Sequence, residues 1–203
     1  MQINSNELQI VIPEAGSSTR LGSPKQLVNT QAGLLWQRTI DVCLAISRSI
    51  TIVTGSWRPS SVLPNGVIEC HFPRWSEGMG SSIAYGIQNS PTPTKGYLIV
   101  LIDQWGLTKE TLHEFVSAWN GENIQLANDG NYKGPPVLFP AHYQHHLSAL
   151  RGDEGAKSLI KQSTSTEQIL GNAALDLDTP ADLKFFQQID NAKNKKEQEH
   201  DFT

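Results

Sequence analysis

An α/β fold with a mostly parallel central sheet is what this sequence predicts, and three observations carry the prediction. Short apolar runs alternate along the chain with longer amphipathic ones, as they do where helices wrap a sheet. One run, YLIVLI over residues 97–102, is apolar from end to end, the mark of a central strand covered on both faces. The 203 residues, 38% hydrophobic and 18% charged, suit one compact domain with a sizeable core.

LQIVIP over residues 8–13 reads as the first strand. A helix follows over 34–46, where Trp36, Ile40, Cys43 and Leu44 fall on one face. SITIVTG, 49–55, is rich in β-branched residues and closes on a glycine, completing a strand–helix–strand unit. Residues 66–72 predict a strand, 81–88 a helix after a glycine-bearing loop, and 97–102 the buried strand. A helix over 112–119 and short strands over 124–127 and 136–139 come next. Residues 142–162 predict two helices broken near Gly152. TPADLKFF opens the last helix, with Thr179 as N-cap, Pro180 in the first turn and Asp182 three residues after the cap. From Gln188 the apolar period disappears, so one domain is expected over residues 1–187 and a charged, disordered tail over 188–203.

The charge balance removes whole classes of function. A net charge of −4 offers no basic stripe to displace the counterions of nucleic acid, so an anionic ligand has to be held locally. Cys43 and Cys70 support neither a disulfide framework nor a cysteine zinc site. MQINSNELQIVIP has no basic region or long apolar core, and no segment approaches the roughly 20 apolar residues of a membrane span. A cytoplasmic protein with no nucleic-acid or membrane partner is expected. His142, His145 and His146 lack an acidic neighbour or HExxH spacing and are expected on a solvated face.

AGSSTRLGSPKQL, residues 15–27, stands directly after the first strand. Glycine permits close approach of backbone N–H groups to an anion, Arg20 offers a planar fork for phosphate oxygens, and Lys25 offers a mobile point charge. A solvated loop has the same composition, and both readings stand on composition alone. Gly16 and Gly22 have neither P-loop nor GxGxxG spacing.

Asp103 follows the apolar strand directly, at the carboxyl end where open α/β sheets bind ligands, with Gln104 beside it. Asp176 and Asp178 precede the last helix. Capping would explain each separately. Two strand-end carboxylates beside a phosphate loop exceed what capping requires, and Mg²⁺ takes one or two carboxylates with phosphate oxygens and water; Asp103 and Asp178 are the expected metal ligands. At GMGSS, Gly78 and Gly80 let the chain pass close to a nucleotide, and Ser81 and Ser82 are expected to cap the following helix. Trp75 and Trp105 flank these loops, where each either stacks on a planar ring or packs the loop.

Taken in order, IPEAGSSTRLGSPKQL, PRWSEGMGSSI, LIVLIDQW, GPPVLF, LRGDEGAK and LDLDTPADL resemble the motifs of the MobA/MocA-like nucleotidyltransferases over residues 8–186. The resemblance implies a Rossmann-like three-layer nucleotidyltransferase fold that transfers a nucleoside monophosphate and releases pyrophosphate, using Mg²⁺ or Mn²⁺. It implies catalytic roles for Arg20, Lys25 and Asp103. Nucleotide contacts are implied for Ala15, Gly16, Ser17, Ser18, Gly22, Lys25, Gly78, Met79, Gly80, Ser81, Ser82 and Gln104. The motifs are most similar to the molybdenum cofactor cytidylyltransferase branch, so CTP, a molybdopterin-type phosphate acceptor and an apo-molybdoenzyme are the expected partners. A GTP-using or sugar-phosphate transferase of the same fold is the enzyme alternative, and a non-catalytic nucleotide- or cofactor-binding protein the other. Pro13 and Glu14 depart from the motif at the loop's start; Trp105, Pro135 and Lys157 depart from it on segments expected to face the acceptor.

Overall fold

The structure, a computed structural model, describes residues 7–18, 21–91, 94–130, 133–171 and 175–200, the side chains of 191–200 excepted. Its elements run β1 (Leu8–Pro13), β2 (Asn29–Thr30), β3 (Gly33–Leu34), α1 (Leu35–Leu44), β4 (Ile50–Thr54), β5 (Val67–His71) and α2 (Met79–Gln88). They continue with β6 (Gly96–Ile99), α3 (Lys109–Ser117), β7 (Ile124–Asn128), β8 (Lys133–Pro140), α4 (Gln144–Ser148), α5 (Lys157–Lys161), β9 (Ser165–Ile169) and α6 (Pro180–His200). Seven strands form one sheet in the order β5-β4-β1-β6-β8-β7-β9, and β8 alone runs against the others. A small hairpin, β2 with β3, stands apart from it.

Alternation along β1 explains the layering. Ile10 and Ile12 point to one face, where they join Trp36, Ile40, Leu112, Phe115 and Phe186 of α1, α3 and α6. Val11 points to the other, with Val53, Ile83, Ile87 and Leu147 beneath α2 and α4. All six residues of β1 are buried because both faces are covered. α2 lies close enough that a Cβ on Gly86 would stand 2.6 Å from Val11 Cγ1 and 2.8 Å from Val53 Cγ2. The result is three layers around a mostly parallel sheet, the predicted architecture.

Several boundaries moved for identifiable reasons. Only Tyr97–Ile99 of the apolar run lies within the strand, which begins at Gly96; Val100 still donates its N–H to the Val11 carbonyl (3.2 Å), and Val100 and Ile102 remain buried beyond the strand end, just before Asp103. α3 begins at Lys109, earlier than expected, because the Thr108 hydroxyl accepts from the Thr111 backbone N–H and caps it. β9, STEQI, has no apolar alternation for a sequence reading to find, being an edge strand with largely exposed side chains. Of the stretch 188–203, expected to be a disordered tail, residues 188–200 instead continue α6 as far as His200, and 201–203 lie outside the described residues. Its first residues have tertiary partners: Ile189 packs against the core, and Asp190 accepts hydrogen bonds from the Gln31 backbone N–H (2.9 Å) and side-chain amide. Among the described residues no helix is long and apolar enough to cross a membrane.

Candidate active site

From β1 the chain moves to β4 and β5 on one side, then returns to β6 on the other. β1 and β6 therefore flank the point where the strand order reverses, and open α/β sheets bind ligands at the carboxyl ends there. Val11 pairs with Ile99, so the two strands release Glu14 and Asp103 near each other at the same edge. A pocket of about 360 Å³ opens at this edge. Pro13, Glu14, Gly16, Ser17, Ser18, Leu21 and Lys25 form one wall; Trp75, Ser76, Gly78, Met79, Ser82 and Asp153 form another; Leu177 and Asp178 close it.

The loop after β1 is folded tightly around Ser18, which adopts φ 53°, a left-handed conformation uncommon outside glycine. Its Oγ accepts from the Lys25 N–H (3.2 Å) and its carbonyl from the Leu21 N–H (3.0 Å), curling the loop so that Lys25 turns back into the site. The Lys25 Nζ donates to Asp103 Oδ2 and lies 3.4 Å from Asp178 Oδ1. Burial opposes the Lys25 charge, but Glu14, Asp103 and Asp178 together outweigh it and push its pKa up. Asp182 and Thr179 cap α6 reciprocally: Asp182 accepts from the Asp178 N–H (3.2 Å), the Thr179 N–H (2.7 Å) and the Thr179 hydroxyl (2.7 Å), while its own N–H donates to Thr179 Oγ1 (3.2 Å).

Asp103 is 8% exposed, and its Oδ1 is buried without a hydrogen-bond partner. A buried carboxylate oxygen left in this state is costly and suits a cation. Asp178 on the other side of Lys25 supplies a second carboxylate, so the donor set fits a hard divalent ion that takes its remaining ligands from phosphate and water. Among the described residues no group of three or more His, Cys, Asp or Glu side chains converges as a metal site. Burial, then Asp103 and Asp178, raises the Asp176 pKa to about 7, and its backbone is bridged to Gln104.

Other predicted site residues sit differently. Arg20 lies outside the described residues. Ala15 is packed in the core beneath the loop, and Gly22 (φ 77°) forms an exposed turn off the pocket. Gln104 braces the strand end, its amide donating to the Pro135 carbonyl. Ser81 and Ser82 do not cap α2, which begins earlier at Met79; their hydroxyls donate back to the carbonyls of Glu77 (3.3 Å) and Gly78 (3.1 Å). The Gly80 N–H is committed to the Gly152 carbonyl at 2.7 Å, which ties α2 to the 151–153 turn behind the pocket lining formed by Gly78, Met79 and Ser82. Trp75 lines the pocket, whereas Trp105 is buried edge-on against Phe186 at 5.2 Å between centroids.

Glu14 and Asp153 line the pocket and were given no role by sequence. Glu14 carried a signal like the one that marked Asp103, an acid directly after a mostly apolar strand. It is 4% exposed, and burial raises its pKa to about 7 even against the pull of Lys25. Gln26 donates to Glu14 Oε1 at 2.7 Å, and Trp57 Nε1 to its carbonyl at 2.6 Å.

Residues 10–168 match the family model for the MobA-like NTP transferase domain. The chain belongs to this family. Among solved structures, this MobA-like chain is similar to Rv0371c from Mycobacterium tuberculosis H37Rv, at 23% identity and TM-score 0.76, covering 93% of this chain and 99% of that one. A structure of that protein is a complex with manganese. A nucleotidyl transferase from Methanothermobacter superposes at TM-score 0.74 and 15% identity, covering 93% and 99%. The 2-C-methyl-D-erythritol 4-phosphate cytidylyltransferase from Thermus thermophilus does so at TM-score 0.68 and 11% identity, covering 91% and 99%. These likenesses establish the nucleotidyltransferase fold. No curated protein matches the chain.

Proposed function

We propose that this MobA-like protein transfers CMP from CTP to a phosphate of a molybdopterin-type acceptor and releases pyrophosphate. The observation that carries the reading is the pairing of Lys25 with Asp103, whose second oxygen is buried and unpartnered, at the rim of a nucleotide-sized pocket. Asp103 and Asp178 would hold Mg²⁺ or Mn²⁺, which when bound supplies neutralising charge to the phosphates. Lys25 meets triphosphate oxygens with its ammonium, and the loop from Gly16 to Ser18 lies along them. An acceptor phosphate oxygen forms a bond to the α-phosphorus while the α–β bridging bond breaks and pyrophosphate leaves with the electron pair. The acceptor phosphate is already ionised near neutral pH, so the protein needs no strong base; its work is alignment and charge neutralisation.

Cytidine is supported by the motif likeness and by the cytidylyltransferase among the structural neighbours. GTP is the alternative base, and one observation keeps it open: the Ala15 methyl is packed in the core rather than facing the pocket, so it does not itself crowd a purine. A non-catalytic partner of a molybdoenzyme would bind nucleotide without turnover. The deciding experiment is pyrophosphate release by the pure protein with each NTP, with and without molybdopterin. CTP-dependent release that requires molybdopterin is expected. Release with GTP instead changes the base, and tight nucleotide binding without release under any pairing overturns the transferase reading.

A further inference from the structure

Glu14 is a buried acid beside the candidate site with no assigned task. It does not converge with Asp103 and Asp178 as a third metal ligand, since among the described residues no three acidic side chains form such a group. Its contacts lead elsewhere. The Gln26 amide nitrogen donates to both Glu14 Oε1 (2.7 Å) and the Gly16 carbonyl (3.1 Å), and Gln26 is wholly buried. Gln26 is the chain neighbour of Lys25 within the single 3₁₀ turn Lys25–Leu27. One end of this bridge is fixed to the sheet, because the Glu14 N–H donates to the Val53 carbonyl (3.1 Å) and its own carbonyl accepts from Trp57. The other end carries the lysine.

We infer that Glu14 is a positioning residue for Lys25, acting through the Gln26 amide as a tether and through its own negative charge as a field that holds the ammonium in the pocket. Glu14 is 4% exposed and stands in the same pocket wall as Lys25, so the attraction between the two opposite charges is little screened by water. A carboxylate next to a phosphate site would ordinarily repel the ligand. Here the ammonium of Lys25, which lines the same wall and also meets Asp103 and Asp178, offsets that charge. The inference rests on the reading of Lys25 as the phosphate-binding cation.

Three variants separate the two actions. Glu14→Gln keeps an acceptor for Gln26 and removes the field; Gln26→Leu keeps the field and removes the tether; Glu14→Ala removes both. Two readouts apply to each: CTP affinity by calorimetry, and the rate at which an amine-specific reagent labels Lys25, followed by mass spectrometry. Gln26→Leu should weaken CTP binding about tenfold, equivalent to about 1.4 kcal/mol. At about pH 8, where the Glu14 carboxyl is ionised, Glu14→Gln should label Lys25 several-fold faster and lose less than about threefold in affinity. Glu14→Ala should show both effects. Folded Glu14→Gln and Gln26→Leu proteins that match the wild type in both readouts would overturn the inference, and they decide it even if Glu14→Ala does not fold. A wild-type protein that binds no NTP would sink the transferase reading instead, and the labelling rates would still judge Glu14.

Discussion

Lys25 and Asp103, 78 positions apart in sequence, are joined Nζ to Oδ2 at the edge of the sheet, and the second oxygen of Asp103 is buried with no partner. This relationship sets the sharpest test of the metal assignment. Asp103→Asn keeps the side chain's size but removes the charge that would bind the ion. Losing a well-placed Lewis acid should cost about 3–5 kcal/mol in the transition state, lowering turnover roughly 10²–10⁴-fold with Tm nearly unchanged. Single-turnover rates at saturating Mg²⁺ and melting curves measure both. A variant that is less stable yet fully active would assign Asp103 to structure alone.

Stability should fall with rising pH through Glu14. Its pKa is raised by burial from 4.5 to about 7 in the folded chain, so the folded state binds more protons than the unfolded between those values. The favourable contribution is complete below about 4.5 and is lost as pH rises through about 7, a change on the order of 3 kcal/mol. Glu14→Gln lacks this titration. Urea denaturation at about pH 5 and about pH 8 should show the variant gaining on the wild type at the higher pH, and an unchanged difference would contradict the buried, charge-opposed state of Glu14.

Gly16 offers a probe of the loop that spares the fold. A Cβ built there meets no atom within 4 Å. Gly16→Val should therefore melt within a degree or two of the wild type while its branched side chain intrudes on the pocket that Gly16 lines, weakening NTP binding at least about tenfold by calorimetry. Unimpaired binding would move the triphosphate off this loop.

Truncation should divide the C-terminal helix at Asp190. Removing residues 191–203, whose only apolar side chains are Ala192 and Phe202, is expected to leave Tm unchanged, because so little apolar surface adds little packing to the domain. Removing residues 188–203 takes away the Ile189 packing and the Asp190 contacts to Gln31 and should lower Tm by several degrees. Equal melting of the two truncations would show that these contacts carry no stability.

The layers were legible because they rest on periodicity: residues 8–13 and 97–102 announce buried strands, and Thr179 with Asp182 announces the start of α6. β9 was not legible, since an edge strand with solvated side chains has no pattern distinct from a loop. In the candidate site, the types and order of Lys25, Asp103 and Asp178 were readable from motifs, and the structure brings those three together. What escaped was direction. Ala15 and Gly16 are adjacent in sequence, yet one packs into the core and the other lines the pocket. Glu14 was visible as a departure, but that it reaches Gln26 follows from the curl at Ser18, whose positive φ no residue preference foretells.

Gly78 and Gly152 bind the two far segments of the pocket into one piece. Gly78 adopts φ 102°, and a Cβ there would stand 2.2 Å from Asp153 Oδ1 and 2.6 Å from the Gly152 backbone; the Gly80 N–H then ties α2 to the Gly152 carbonyl. Because α2 is seated on β1 and β4 at Gly86 with no space between, this wall has no slack in either direction. Laboratory evolution of a reshaped pocket would thus stall on single substitutions at Gly78 and Gly80. Position 78 is closed by its backbone conformation as well as by space, so gains require paired changes at 80, a larger side chain with a reshaped turn at 151–153, and libraries that vary these two segments together should recover active variants that libraries varying either one alone do not.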